Sequence, residues 1–173
     1  MSSGRKAPVI SVVGKSGVGK TTALELVIRE IKRRGYKVGT IKHDTHGFEV
    51  DKPGKDSWRH AQAGSDAVVI SGPRRMALIR TLDEEMSLDR IVELMGDVDL
   101  VITEGYKRGD RPKIEITRRE RGTELLCEAK ELIGIMTDYP VDIPVPQFAL
   151  DDAPGVVDLL EALYLQDARE EER

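Results

Sequence analysis

Cysteine is nearly absent from this chain: Cys127 is the only one among 173 residues. A lone cysteine excludes an internal disulfide and points to a reducing compartment. Long apolar runs are missing as well. The run at 9–13 is too short for the core of a signal peptide, and no stretch approaches the roughly 20 apolar residues of a transmembrane helix. A cytoplasmic protein with no membrane partner is therefore expected. Charge of one sign does not dominate. With 27 Lys and Arg against 31 Asp and Glu, the net charge is −4, which argues against a general nucleic-acid binder, since that requires a basic face. Repeats, low-complexity segments and linkers are also lacking. The length suits one ordinary domain with a real core, so a single domain over 1–173 is expected, with residues 1–7 and 167–173 as flexible ends.

The pattern of apolar residues places the elements. Val9-Ile10-Ser11-Val12-Val13 has the character of a buried parallel strand. After a glycine-rich turn, Leu24, Val27, Ile28 and Ile31 recur at helical spacing, and Gly35 stops that helix. Residues 36–42 form the next strand, which gives the opening of a doubly wound α/β sheet. A polar loop covers 43–55, and a short helix 57–63. Two apolar runs, 67–71 and 76–81, flank Gly72-Pro73-Arg74-Arg75. They read as a hairpin added to the sheet in antiparallel fashion. Ser87 caps a helix whose apolar face is Leu88, Ile91, Val92 and Met95. Residues 98–103 are a buried strand. The alternation in 113–117 suits an exposed or edge strand, the charged segment 118–130 gives no clear reading, 133–136 is a last core strand, and Val156, Leu159, Leu160 and Leu163 mark a closing helix. The sum is a three-layer α/β sandwich of the phosphate-loop (P-loop) NTPase type: a mostly parallel sheet with an antiparallel hairpin.

Gly14-Lys15-Ser16-Gly17-Val18-Gly19-Lys20-Thr21 matches the pattern G-x4-G-K-[ST] and sits where that pattern has meaning, between a buried strand and an amphipathic helix. Glycines allow the backbone to curl until several N–H groups point inward as an anion nest, and the helix adds the positive end of its dipole. Lys20 is expected to reach the β- and γ-phosphates, and the Thr21 hydroxyl to bind Mg²⁺. Lys15 has two readings: a lysine that reaches a nucleotide across a dimer, or a solvated surface lysine. Such loops also require a carboxylate at the end of a second core strand. Glu104, at the end of Asp99-Leu100-Val101-Ile102-Thr103, fits that place. Gly105 after it allows close backbone approach, whereas Asp99 reads as the polar start of the strand. Lys20 and Glu104 are the expected carriers of any catalysis.

Two polar stretches follow the second strand: Lys42-His43-Asp44-Thr45-His46-Gly47, and Asp51 to His60. Three readings compete. His43 and His46, with His60 or an acid, could bind a metal; the basic residues could form an anion site for a second phosphorylated ligand; or the segment is a solvated loop. Asp44, Asp51 and Asp56 are candidates to join the magnesium shell.

Taken in order, the phosphate loop, Ile41-Lys42-His43, Asp51-Lys52-Pro53-Gly54-Lys55-Asp56-Ser57, Arg59-His60, Ala63-Gly64-Ser65 and Thr103-Glu104-Gly105-Tyr106-Lys107 resemble the molybdopterin-guanine dinucleotide biosynthesis protein B (MobB) family. The resemblance runs from Val9 to about Phe148, and the stretch 51–57 is its most distinctive part. It implies a GTP-binding adapter that assists the molybdenum cofactor guanylyltransferase in attaching GMP to molybdopterin, with weak GTPase activity. It also implies a homodimer whose strands share a sheet, which suits the hairpin at 67–81. Gly17, Gly19, Lys20, Thr21 and Thr22 match the family's phosphate site, Glu104 its magnesium site, and His43, Asp51, Lys55 and Asp56 its second stretch. Asp44-Thr45-His46 departs from the paired histidines many members carry, and Lys15 is unusual.

The base is less readable. No Asn-Lys-x-Asp guanine signature is present. Asp138 in Thr137-Asp138 could accept from guanine N1–H and the 2-amino group, and would reject adenine, whose N1 is an acceptor; it could equally be a turn aspartate. GTP thus rests on the family. Two alternatives of other classes remain: a small-molecule kinase or ATP-dependent ligase of the same fold, and a metal-delivery GTPase using His43 and His46. No glutamine follows Glu104 to orient an attacking water, so slow turnover is expected. Lys52, Lys55, Arg59, Arg74 and Lys107 are candidates to meet the phosphate of molybdopterin or of its guanine dinucleotide.

Overall fold

Five residues that cannot all be satisfied at a surface, Val9–Val13, form the central strand β1, buried along its whole length. The computed structural model describes residues 6–45 and 47–166, so the expected flexible ends and His46 lie largely or wholly outside the described residues. Helix α1, Lys20–Arg33, follows β1 and buries Ala23, Leu24, Val27 and Ile31. These fall on one stripe of a 3.6-residue period. Gly35, at φ +94°, takes the left-handed conformation that ends such a helix. The chain continues through β2 (Val38–Lys42), α2 (Asp56–Gln62), β3 (Ala67–Ser71), β4 (Met76–Arg80), α3 (Leu88–Glu93), β5 (Leu100–Glu104), β6 (Lys113–Thr117), β7 (Leu132–Thr137), β8 (Gln147–Phe148) and α4 (Ala153–Leu160), which runs on into a π-helical turn, Glu161–Leu165.

Internal contacts divide the chain into two compact units, one made of the residues up to His43 and from Val92 onward, the other of Asp44–Ile91. The first holds a six-stranded sheet in the order β2-β5-β1-β6-β7-β8, with every neighbouring pair parallel. One face meets α1 and α4: Ile10, Val12, Leu100, Ile102, Ile114, Ile116 and Met136 pack with Leu24, Val27, Ile31, Val156, Val157 and Leu160. Each such side chain contributes about 1.5–3 kcal/mol on leaving water. A second, smaller cluster lies apart from that core. Val13 and Ile135 pack with Cys127 and Leu132, flanked by Val141, Ile143 and Val145. Met95 lies over Gly39, where a Cβ would come within 2.7 Å of its sulfur.

Strand β6 corrects the sequence reading. It is no edge: it lies between β1 and β7 with all five residues buried. Its polar residues are tolerated inside because each is answered. Lys113 Nζ donates to Gly109 O at 2.7 Å and to Glu131 Oε1 at 2.8 Å. The Glu115 carboxylate accepts the N–H groups of Leu126 at 2.8 Å and Cys127 at 3.1 Å. The hydroxyls of Thr117 and Tyr139 are 3.0 Å apart. Alternation marks a half-exposed strand only when nothing folds over its polar side; here the segment after β6 does so.

The second unit contains the hairpin. β3 and β4 pair antiparallel, Val68 against Ile79 and Ile70 against Ala77, with Gly72 N–H donating to Arg75 O at 2.9 Å. The hairpin is a separate two-stranded sheet, not an addition hydrogen-bonded to the parallel one.

Candidate functional site

The glycines of the loop between β1 and α1 do what the motif requires. Gly17 at φ +76° and Gly19 at φ +89° occupy the left-handed region, and a Cβ on Gly14 would collide with the carbonyl oxygen of Ile116. Val18 is buried beneath the loop, while Ser16, Gly17, Thr21 and Thr22 are exposed. Lys20 folds back along the loop, donating from Nζ to Gly14 O at 3.1 Å and Lys15 O at 3.0 Å. Burial lowers its pKa below the usual lysine value, with Lys107 and Lys42 acting in the same sense and the charge of Glu104 opposing them. An ammonium held over an N–H nest is a point charge suited to a polyphosphate.

Glu104 ends β5, in register with Val12 of β1 and Lys42 of β2. Its carboxylate faces Thr21: the hydroxyl Oγ1 lies 3.3 Å from Oε1 and 3.5 Å from Oε2. A hydroxyl and a carboxylate directed at one another at the mouth of a phosphate loop are the oxygen donors a small hard cation takes, so the residues fit Mg²⁺. Among the described residues no group of three or more His, Cys, Asp and Glu is placed to hold a metal. His43 stacks on Tyr106, ring centroids 4.3 Å apart and planes at 22°. Tyr106 has φ +52°, and a Cβ on Gly105 would lie 3.1 Å from that of His43. The backbone after Glu104 is therefore bent tightly against the end of β2.

Asp138 leaves the carboxyl end of β7, the same sheet edge on which β1 and β5 end. Its Oδ1 accepts the Arg119 N–H at 2.9 Å, and the Arg119 guanidinium lies 5.2 Å over the Tyr139 ring. Lys15 Nζ is engaged within its own chain, donating to Arg121 O at 3.3 Å. Two residues beside the loop escaped the sequence reading. Arg118 Nε donates to Val18 O at 2.9 Å, and Arg121 Nη2 comes within 2.9 Å of where a Gly17 Cβ would be. The signal was available, since arginines directly after a parallel strand stand at the ligand-binding edge, but taking β6 for an edge strand hid it.

Asp51, Lys55 and Asp56 belong to the second unit. They line a cavity of about 510 Å³ together with Lys52, His60 and β3 residues Val68 to Ser71. Asp51 Oδ1 accepts the N–H of Lys52 at 2.8 Å, and Lys55 N–H donates to Lys52 O at 3.1 Å, so backbone turns fix the rim. The structure thus brings Lys20, Thr21 and Glu104 together in one unit and Asp51, Lys55 and Asp56 together in the other.

The profile of the family described as MobB, Molybdopterin guanine dinucleotide synthesis protein B, matches residues 9–138. The molybdopterin-guanine dinucleotide biosynthesis adapter protein of Haemophilus influenzae is 37% identical over 157 residues, covering 89% of this chain and 88% of the relative. That of Escherichia coli is 32% identical, covering 88% and 91%. Among solved structures, Bacillus subtilis MobB superposes with a TM-score of 0.70 at 27% identity, over 91% of this chain and 98% of that one.

Proposed function

This chain belongs to the MobB family, molybdopterin guanine dinucleotide synthesis protein B, and on that footing we propose that it is a GTP-binding adapter in molybdenum cofactor maturation. In this reading it assists the guanylyltransferase that converts molybdopterin to its guanine dinucleotide. The observation that carries it is the meeting of Thr21 and Glu104, 3.3 Å apart, beside Lys20 in an intact phosphate loop. The N–H groups of Gly17 to Thr22 bind the phosphates and Lys20 neutralises them. Thr21 and Glu104 hold Mg²⁺, which supplies charge neutralisation at the phosphate oxygens. Asp138 reads the guanine edge with the oxygen that Arg119 leaves available. Residues 105–112 contain no glutamine to orient an attacking water, which supports slow turnover, as suits a protein that holds GTP for a partner.

The remaining roles follow from the second unit. Lys52 and Lys55 at the cavity rim offer cations for the phosphate of molybdopterin or its dinucleotide. Val69, Ile70, Met76 and Leu78 are exposed on the hairpin. A two-stranded hairpin with so much apolar surface in water is marginal, so pairing with a second copy in a homodimer would cover them. No helix of the described residues is long and apolar enough to cross a membrane, and a cytoplasmic site of action accords with the pathway.

The test is reconstitution with purified guanylyltransferase, molybdopterin and Mg·GTP. Addition of this protein should raise the yield of guanine dinucleotide, and Lys20→Ala should not. No effect on yield, or unaided GTP turnover in the ordinary enzyme range of about 1–10³ per second, would reject the adapter role.

A further inference from the structure

The turn that leaves β6 lies against the phosphate loop at several points, and none of the roles above uses those contacts. Arg118 Nε holds Val18 O at 2.9 Å, and its Nη2 is 3.4 Å from where a Gly19 Cβ would stand. Arg121 Nη2 is 2.9 Å from the equivalent position on Gly17, while its carbonyl takes Lys15 Nζ at 3.3 Å. The two guanidinium groups therefore lie beside Gly17 and Gly19, the Val18 side chain between them being buried, and at Gly17 a side chain would crowd Arg121. Among the described residues neither guanidinium is paired with a carboxylate. With Lys15 and Lys20, four cations crowd one loop. A cluster of cations around one loop favours an anionic ligand. The same turn donates the Arg119 N–H to Asp138, so a single short segment touches both the phosphate loop and the aspartate assigned to the base.

We propose that Arg118 and Arg121 complete the polyphosphate site from the β6 side, Arg118 as a positioning residue that fixes the loop through Val18 O, and Arg121 as a phosphate-contacting fork supplied by the same chain. This rests on the nucleotide reading above. Arginine suits the task because its planar fork is always charged and meets phosphate oxygens in pairs, which a lysine cannot do.

The test is calorimetry with Mg·GTP and Mg·GDP at low and high salt on the wild type, Arg121→Ala, Arg121→Lys and Lys20→Ala, with melting temperatures measured without nucleotide. Arg121 is exposed, so its variants should melt as the wild type does. Arg121→Ala should bind about tenfold or more weakly at low salt, and its deficit should shrink as salt screens the lost contact. Arg121→Lys should recover part of the affinity. Arg121→Ala with wild-type affinity and salt dependence, beside a Lys20→Ala that fails to bind, overturns this assignment alone. A wild type that binds neither nucleotide overturns the reading beneath it as well.

Discussion

Lys20 is held by two loop carbonyls and faced by one carboxylate, so its amine has few ways to meet a ligand other than over the nest. Lys20→Ala should abolish measurable Mg·GTP binding while leaving the fold intact, checked by calorimetry and circular dichroism on the same sample. Asp138 offers the sharper test of specificity. Its removal should cost GTP about 10- to 100-fold in affinity, since hydrogen bonds to a charged group are the strong ones, and leave ATP little affected; equal losses for both nucleotides would reassign it to the turn. The placement of Gly14, Gly17, Gly19, Lys20 and Thr21 around one loop was legible in the sequence because it is local, encoded by spacing along the chain. Glu104 was legible because it ends an apolar run. Arg118 and Arg121 were not, since what places them on the loop is the strand order around β1, about 100 residues away in the chain.

Among the elements, β6 shows how a polar strand is kept in a core. Glu115 is buried, burial pushes its carboxyl above the usual range, and two backbone N–H groups oppose that push. Glu115→Ala would leave both N–H groups unanswered and should cost roughly 2–4 kcal/mol of stability, read from chemical denaturation. The alternation of this strand was visible in the sequence, but the residues that fold over it, Leu126 and Cys127, lie in a charged segment with no periodicity to announce them. The clamp between α1 and α4 behaves differently with pH. Glu30 holds Arg33 and Arg34, and Arg34 reaches Asp158 and Glu161, each at 2.6 Å. The hydrogen bonds that Glu30 accepts from Arg33 and Arg34 lower its pKa from 4.5 to about 2. A depressed carboxyl pKa stabilises the fold above its unfolded value and loses that contribution as pH falls through the folded one. The melting temperature should therefore drop between about pH 4.5 and 2, and less steeply in Glu30→Gln; parallel curves would remove Glu30 from the clamp.

At the scale of the whole molecule, the parallel sheet and the hairpin were both legible from apolar runs and turn residues. That β3 and β4 form a sheet of their own was not, because a register of pairing across distant segments leaves no local trace. Its exposed Ile70 and Met76 lead to an expected dimer by analytical ultracentrifugation, and to monomers for Ile70→Asp with Met76→Asp; a wild-type monomer at all concentrations would exclude the shared-sheet arrangement. Family membership ties the parts together, but the chemistry depends on one ligand. The most direct measurement is calorimetric titration of the wild-type protein with GTP and with ATP, each with and without Mg²⁺. GTP should bind, more tightly with Mg²⁺ than without, and the Mg²⁺ gain should vanish in Glu104→Ala. ATP binding as tight as GTP, or GTP binding indifferent to Mg²⁺ and to Glu104, would contradict a guanine-nucleotide adapter built on this loop.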